Sequence, residues 1–261
     1  MEDYFISDGL RLRYLDVGSK SGDPLILVHG LGERIEGWRL QVEDFSKHFR
    51  VLALDLRGFG ESEIPAEFSG AEDFARDIFN LMEHVGIKQA HLLGLSMGGI
   101  ACLAFYKLHS EKVKSLILAD TTAYFPEEFR EALAERLRLM DEMGMEGIAA
   151  AIAEISIHRD DPELKRLVRG IIARNDLNFY RKVTVELARA DYRDLLPQIK
   201  IPTLIIVGEF DVTTPPELSR YMAERIPGAE LRIVKNSAHL AKLENPDEFN
   251  AYVLDFLRRV T

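Results

Sequence analysis

The chain has 261 residues, 47% of them hydrophobic, and a formal charge of −10 at neutral pH. That length and apolar content suit one large domain, or a core carrying an insertion. The acidic balance argues against nucleic acid or an anionic membrane surface as a partner. A single cysteine, Cys102, excludes an internal disulfide.

The opening residues Met1, Glu2, Asp3 and Tyr4 lack the basic and apolar regions of a signal peptide. No uninterrupted apolar run approaches the roughly 20 residues that cross a bilayer. No cluster of cysteine and histidine has metal-ligand spacing. These features lead us to expect a cytoplasmic protein without a metal or other cofactor.

In chain order, Tyr4 to Ile6 and Leu10 to Leu15 read as a pair of short edge strands that can run antiparallel. Leu25 to Val28 is a buried strand closed by His29 and Gly30. A mixed segment with helical spacing runs from Trp38 to His48, followed by a strand at Val51 to Leu54. Ala71 to Val85 places Phe74, Ile78, Leu81, Met82 and Val85 on one helical face, and Gly86 supplies a C-terminal stop. Ala90 to Leu93 is a strand, about Met97 to His109 a helix, and Val113 to Ala119 a strand. Further strands fall at Thr203 to Val207 and Leu231 to Val234, and the closing helix spans about Pro246 to Val260.

Strands alternating with helices imply crossover connections and a mostly parallel sheet. The rhythm breaks between Thr122 and Pro197. There Leu133, Leu137 and Met140, then Ile148, Ile152 and Ile155, then Leu164, Val168, Ile171 and Ile172 recur at helical spacing. The expected organisation is a core of residues 1–121 and 198–261 with a helical cap inserted at 122–197. Ligands in open α/β sheets bind at the carboxyl ends of the strands, so such a cap encloses the site.

At the junction after Ala90 to Leu93 stands Gly94, Leu95, Ser96, Met97, Gly98, Gly99, a G-x-S-x-G pattern between strand and helix. A serine at the tip of so sharp a turn sits in a strained conformation with its neighbours pressed close, which the glycines permit. Its hydroxyl needs a general base, and the base an orienting carboxylate. Asp211 falls just past the strand Thr203 to Val207, and His239, the only late histidine, just past Leu231 to Val234. The three make a nucleophile, acid and base from three strand ends in the order Ser, Asp, His. Asp120, after Val113 to Ala119, is a competing acid read as structural, and Glu209 as a support for the Asp211 loop.

An oxyanion pocket needs backbone N–H groups aimed at the developing charge. Met97, at the start of its helix, is the first donor and Leu31, in the loop His29, Gly30, Leu31, Gly32, the second. His29 is read as a brace for that loop. For the substrate pocket the candidates are Trp38, Phe125, Phe129, Met140, Met143 and Phe179, with Met145 and Tyr180 beside them. About half of these aromatic and methionine side chains are expected to be ordinary packing. Cys102 reads as a core thiol and His158 as exposed.

These residues carry a resemblance over nearly the whole chain. His29-Gly30-x-Gly32, Asp55-x-Arg57-Gly58-x-Gly60-x-Ser62, Gly94-x-Ser96-x-Gly98-Gly99, Gly208-x-x-Asp211-x-x-x-Pro215, and His239 with Glu244, Asn245 and Pro246 together resemble the α/β-hydrolase family. The resemblance implies the α/β-hydrolase fold, a structural role for Asp55 to Ser62, and a final helix begun by Glu244 and Pro246. The elbow and Arg174-Asn175-Asp176 look like bacterial or archaeal carboxylesterases and 3-oxoadipate enol-lactonase-like proteins. Serine at the elbow separates the chain from dehalogenases and epoxide hydrolases, which place aspartate there.

The expected function is a serine carboxylesterase acting through an acyl-enzyme on short to medium acyl or aryl esters. Its partner is then a small-molecule ester, and a homodimer stays open. Two alternatives remain. One is an enol-lactonase or carbon–carbon bond hydrolase, whose anionic substrate would want Arg130, Arg174 or Arg181. The other is a small-molecule receptor with a slow, intact triad.

Overall fold

The computed structural model describes residues 2–261, apart from the side chain of Arg130. Among these residues, eight strands form one sheet in the order β1-β2-β4-β3-β5-β6-β7-β8. The edge hairpin joins β1 (Glu2–Ser7) to β2 (Leu10–Val17). It turns at Asp8 and Gly9, both with positive φ, which matches the twist of a two-residue hairpin. β2 also runs antiparallel to β4 (Arg50–Leu54). The remaining pairs are all parallel: β3 (Pro24–Val28), β4, β5 (Ala90–Leu95), β6 (Val113–Ala119), β7 (Thr203–Gly208) and β8 (Glu230–Val234).

Every residue of β5 and β7 is buried, and four of five in β3. Strands covered on both faces read as continuous apolar runs for this reason. The cover comes from helices. α1 (Arg39–Phe45) packs with α9 (Pro246–Val260), and α2 (Ala71–His84) packs with α3 (Met97–His109). Past α2, the N–H of Ile87 donates to the carbonyl of Met82 and that of Gly86 to Glu83. These bonds close the helix on Gly86, whose φ is +70°.

Between β6 and β7 the chain is helical, with α4 (Glu127–Ser156), α5 (Pro162–Ile172) and α6 (Leu177–Leu187). α4 is two helices joined at Gly144, where φ is 63° and ψ −175°. Its expected apolar sets, ending at Met140 and beginning at Ile148, lie on either side of that break. The two ends of the insertion are neighbours: Tyr124 and Asp191 form an antiparallel bridge, and the Tyr192 N–H donates to the Ala123 carbonyl. Two helices, α7 (Pro216–Arg225) and α8 (Ala241–Glu244), have no counterpart in the sequence expectations. α7 follows the Asp211 loop, with Pro216 in its first turn and Leu218 and Met222 as its inward contacts. The short α8 precedes α9.

Phe179 is a correction to the pocket candidates. Its ring lies against Phe59 and Phe68, with centroids 5.6 and 5.7 Å away. It also covers Gly58, where a Cβ would fall 1.9 Å from the ring. The residue therefore docks the insertion onto the core. No helix of the described residues is long and apolar enough to cross a membrane. Phe179→Ala is expected to cost about 3–5 kcal/mol in urea unfolding, because the rigid core loop beneath it cannot collapse into the space.

Candidate active site

Ser96 stands between β5 and α3 with φ 52° and ψ −117°, a strained conformation for a residue with a Cβ. The turn closes so tightly that a Cβ at Gly94 would lie 2.3 Å from the Gly98 carbonyl oxygen. One at Gly98 would lie 2.1 Å from that of Val28. The Ser96 N–H donates to the Ala119 carbonyl, and the Thr121 hydroxyl donates to the Ser96 carbonyl at 2.6 Å. The serine side chain is thereby held at the carboxyl edge of the sheet.

His239 Nε2 lies 3.0 Å from Ser96 Oγ, and His239 Nδ1 lies 2.8 Å from Asp211 Oδ2. A carboxylate beside Nδ1 accepts the ring N–H on that side, which keeps the proton on Nδ1 and leaves the Nε2 lone pair facing the hydroxyl. Asp211 is itself held: Oδ1 accepts the N–H groups of Thr213 and Thr214, and Oδ2 the Thr214 hydroxyl. Glu209 faces outward, pairing with Lys235 and accepting the Asn236 N–H.

Asp120 is fully buried. Its Oδ1 accepts the Gly208 N–H, and its Oδ2 has no partner among the described residues. Burial, and then the charge of Asp211, push its carboxyl well above the usual range, which favours the neutral form. A neutral carboxyl stabilises an imidazolium less than a carboxylate does, and it is Asp211, not Asp120, that lies 2.8 Å from His239 Nδ1.

The N–H of Met97 opens α3, where no helical acceptor exists. The N–H of Leu31 has no intramolecular acceptor among the described residues. Both residues line the same cavity as Ser96 and His239. His29 is buried beneath this loop. Its Nδ1 bonds the Gly30 carbonyl and its Nε2 accepts the Leu56 N–H, while burial lowers its pKa and keeps the ring neutral.

The cavity holds about 270 Å³. Core residues Leu31, Leu95 and Ile100 form its floor, and Phe125, Phe129, Leu133, Ile152 and Tyr180 of the inserted segment close over it. Such a space is apolar with few polar groups, the usual character of a small-molecule site.

Residues 23–157 match the sequence profile of a family described as the alpha/beta hydrolase fold. The chain belongs to the α/β-hydrolase family. An enol-lactonase crystal structure from Burkholderia xenovorans LB400 is 30% identical with a TM-score of 0.92, covering 98% of this chain and 100% of that one. A malate-bound thermophilic esterase from Thermogutta terrifontis is also 30% identical, with a TM-score of 0.91 over 100% of this chain and 99% of its own. A 2-hydroxy-6-oxononadienedioate/2-hydroxy-6-oxononatrienedioate hydrolase from Burkholderia vietnamiensis is 29% identical over 97% of this chain and 94% of its own.

Within this α/β-hydrolase framework, Phe125, Phe129 and Tyr180 reach the cavity, and five other pocket candidates do not, among them Met145, which packs half-buried against the core. Trp38 is buried with the Lys242 ammonium 4.5 Å from its ring centre. Met140 is buried inside the insertion, and Met143 is 48% exposed; Phe179 packs on the core as described above. Helical spacing shows that a side chain faces something apolar, but not whether that is a cavity or a core. Arg174 lies at a separate, smaller cavity, and Arg181 faces Asp141 at the surface. The Arg130 side chain lies outside the described residues. Cys102 is a buried thiol whose pKa burial raises, and His158 is exposed.

Two charged residues, Arg136 and Lys242, have no place in the sequence expectations, and a third, Glu244, departs from its expected one. Arg136 lines the cavity, has no carboxylate partner among the described residues, and donates to the Tyr180 hydroxyl at 3.2 Å. Lys242 is fully buried and pairs with Glu33 Oε1 at 2.9 Å. Glu33 Oε2 accepts the Gly30 N–H, so this pair braces the loop carrying Leu31. Burial raises the Glu33 pKa, but the Lys242 ammonium outweighs it and holds the carboxyl below its usual value. The third is Glu244, which lies in α8 and does not begin the final helix. Asn245 caps that helix by accepting the Glu248 N–H, and Pro246 starts it. Lys242→Met is expected to cost about 3–5 kcal/mol in urea unfolding by stranding the buried Glu33 carboxylate, with much of the loss recovered in Lys242→Met/Glu33→Gln.

Proposed function

We propose that the protein is a serine hydrolase of carboxylic esters with short to medium acyl or aryl groups. The observation that carries this reading is the continuous chain from Ser96 Oγ through His239 to Asp211, with contacts of 3.0 and 2.8 Å, opening on an apolar cavity. His239 takes the Ser96 proton as the oxygen attacks the ester carbonyl. The tetrahedral oxyanion forms against the N–H groups of Leu31 and Met97. His239 then protonates the leaving alkoxide, and an acyl-Ser96 ester remains. Water, deprotonated by the same imidazole, hydrolyses that ester and returns the hydroxyl to Ser96. Asp211 holds the ring tautomer and stabilises the imidazolium in both halves. The inserted segment acts as a cap that sets acyl size. The malate-bound esterase and the enol-lactonase among its structural relatives support hydrolytic chemistry of this kind.

Arg136 favours a second reading, a carboxylate-bearing lactone or a carbon–carbon bond hydrolase substrate. An unpaired guanidinium in an apolar cavity offers a substrate carboxylate a charge-assisted contact. A slow receptor would instead show binding without steady-state turnover.

Ser96→Ala is expected to remove p-nitrophenyl ester hydrolysis by about 10⁴-fold or more with an unchanged circular dichroism spectrum. Asp211→Asn should approach that loss, whereas Asp120→Asn should stay within about tenfold of wild type, since Asp211 and not Asp120 bonds the imidazole. The reverse order of the two aspartates would move the acid to the β6 end. For the second reading, kcat/KM with a carboxylate-bearing lactone should exceed that with a neutral ester. Arg136→Met should then lower it about 10- to 100-fold and leave the neutral ester nearly unaffected.

A further inference from the structure

Glu244 is only 1% exposed, yet it does not line the cavity. Its Oε2 accepts the N–H of Ala238, the residue before His239, at 2.5 Å. Its Oε1 accepts the N–H groups of His158 and Arg159 at 2.8 and 2.9 Å. Those two residues are where the chain leaves α4. The Arg159 guanidinium donates to the Glu244 carbonyl, and the Leu240 N–H donates to the Ser156 carbonyl. One carboxylate thus ties the inserted segment to the loop that carries the imidazole.

The same exit segment touches the other loop. The His158 ring stacks on Phe210, with centroids 3.9 Å apart and planes 17° apart. Phe210 immediately precedes Asp211. Two consecutive residues of the insertion therefore hold the neighbours of both His239 and Asp211. Ile155 and Ser156, just upstream, line the cavity, so the tie runs from the cavity wall to the imidazole in a few residues.

Resting on the Ser96–His239–Asp211 reading, we propose that Glu244 is a positioning residue. It fixes His239 against Ser96 by locking the base loop to the exit of α4, so that the seating of the insertion and the alignment of the base are one event. A base works within about 2.6–3.2 Å of the proton it takes. The 3.0 Å contact between His239 Nε2 and Ser96 Oγ leaves little room for drift. Charge-assisted bonds to three N–H groups are short and directional, which suits them to hold such a tolerance.

Glu244→Gln tests this, because the amide keeps the shape but turns an NH2 toward N–H donors. At a temperature where the variant is fully folded by circular dichroism, kcat for a p-nitrophenyl ester should fall about 10- to 100-fold with little change in KM. The downfield proton resonance of the His239 Nδ1–Asp211 bond should broaden or shift. Unchanged kcat and resonance with only a lower melting temperature would make Glu244 a fold anchor and overturn the proposal. If Glu244→Gln does not fold, His158→Ala removes the exposed stack alone. A two- to tenfold drop in kcat at unchanged KM supports the tie, and an unchanged kcat overturns it. Wild-type turnover lost in Ser96→Ala keeps the underlying reading separate, and the resonance tests the alignment without turnover.

Discussion

The site hangs on the close approach of α3 to the end of β3. A Cβ at Gly98 would sit 2.1 Å from the Val28 carbonyl oxygen, so only a bare Cα allows the helix to start where it does. That approach forces Ser96 into its positive φ and carries its side chain up out of the sheet edge. It also brings the loop after β3 alongside, so that Leu31 and Met97 border one cavity with Ser96. The strain of the turn is held by packing on every side, including the Thr121 hydroxyl on the Ser96 carbonyl. Parallel strands do the rest. β5, β7 and β8 end at the same edge, and residues far apart in sequence meet there without any local signal between them.

The short turn Ala241–Glu244 ties this edge together by charge. Lys242 reaches inward to Glu33 and so to the loop beside Leu31. Glu244 reaches the opposite way, to Ala238 and to the exit of α4. Buried charges of this kind are costly unless fully bonded, and here each carries several partners. The insertion supplies much of the apolar cover of the cavity through α4 and α6, while Phe179 seats it on the aromatic cluster of the core.

Much of this was legible beforehand because it rests on local rules. The glycine spacing around Ser96 announced a strained turn, and β-branched runs followed by Asp211 and His239 announced strand ends. The helix Met97–His109 and the final helix Pro246–Val260 appear with the expected limits. The cavity was legible only in part. Met140 and Phe125 share the same apolar character, yet one packs among helices and the other meets open space. Arg136 and Lys242 carry no pattern that marks them, and Glu244, expected to begin the final helix, lies buried in the turn before it. Their burial depends on what folds over them, which no periodicity encodes.

The amino-acid sequence by itself determined the order of strands and helices, the sharp turn at Ser96, and which acid and histidine follow strands that end at the sheet edge. These depend on backbone sterics and on a two- or 3.6-residue repeat, both of which are local. Only the tertiary structure decided that His239 bonds Asp211 while Asp120 lies buried and bonds the Gly208 N–H instead, that Arg136 faces the cavity, and that Glu244 joins the insertion to the His239 loop. Those outcomes depend on contacts between segments far apart in the chain, such as His158 and Glu244, 86 residues apart, and on the removal of water from charges. Both come into being only when the chain has closed on itself.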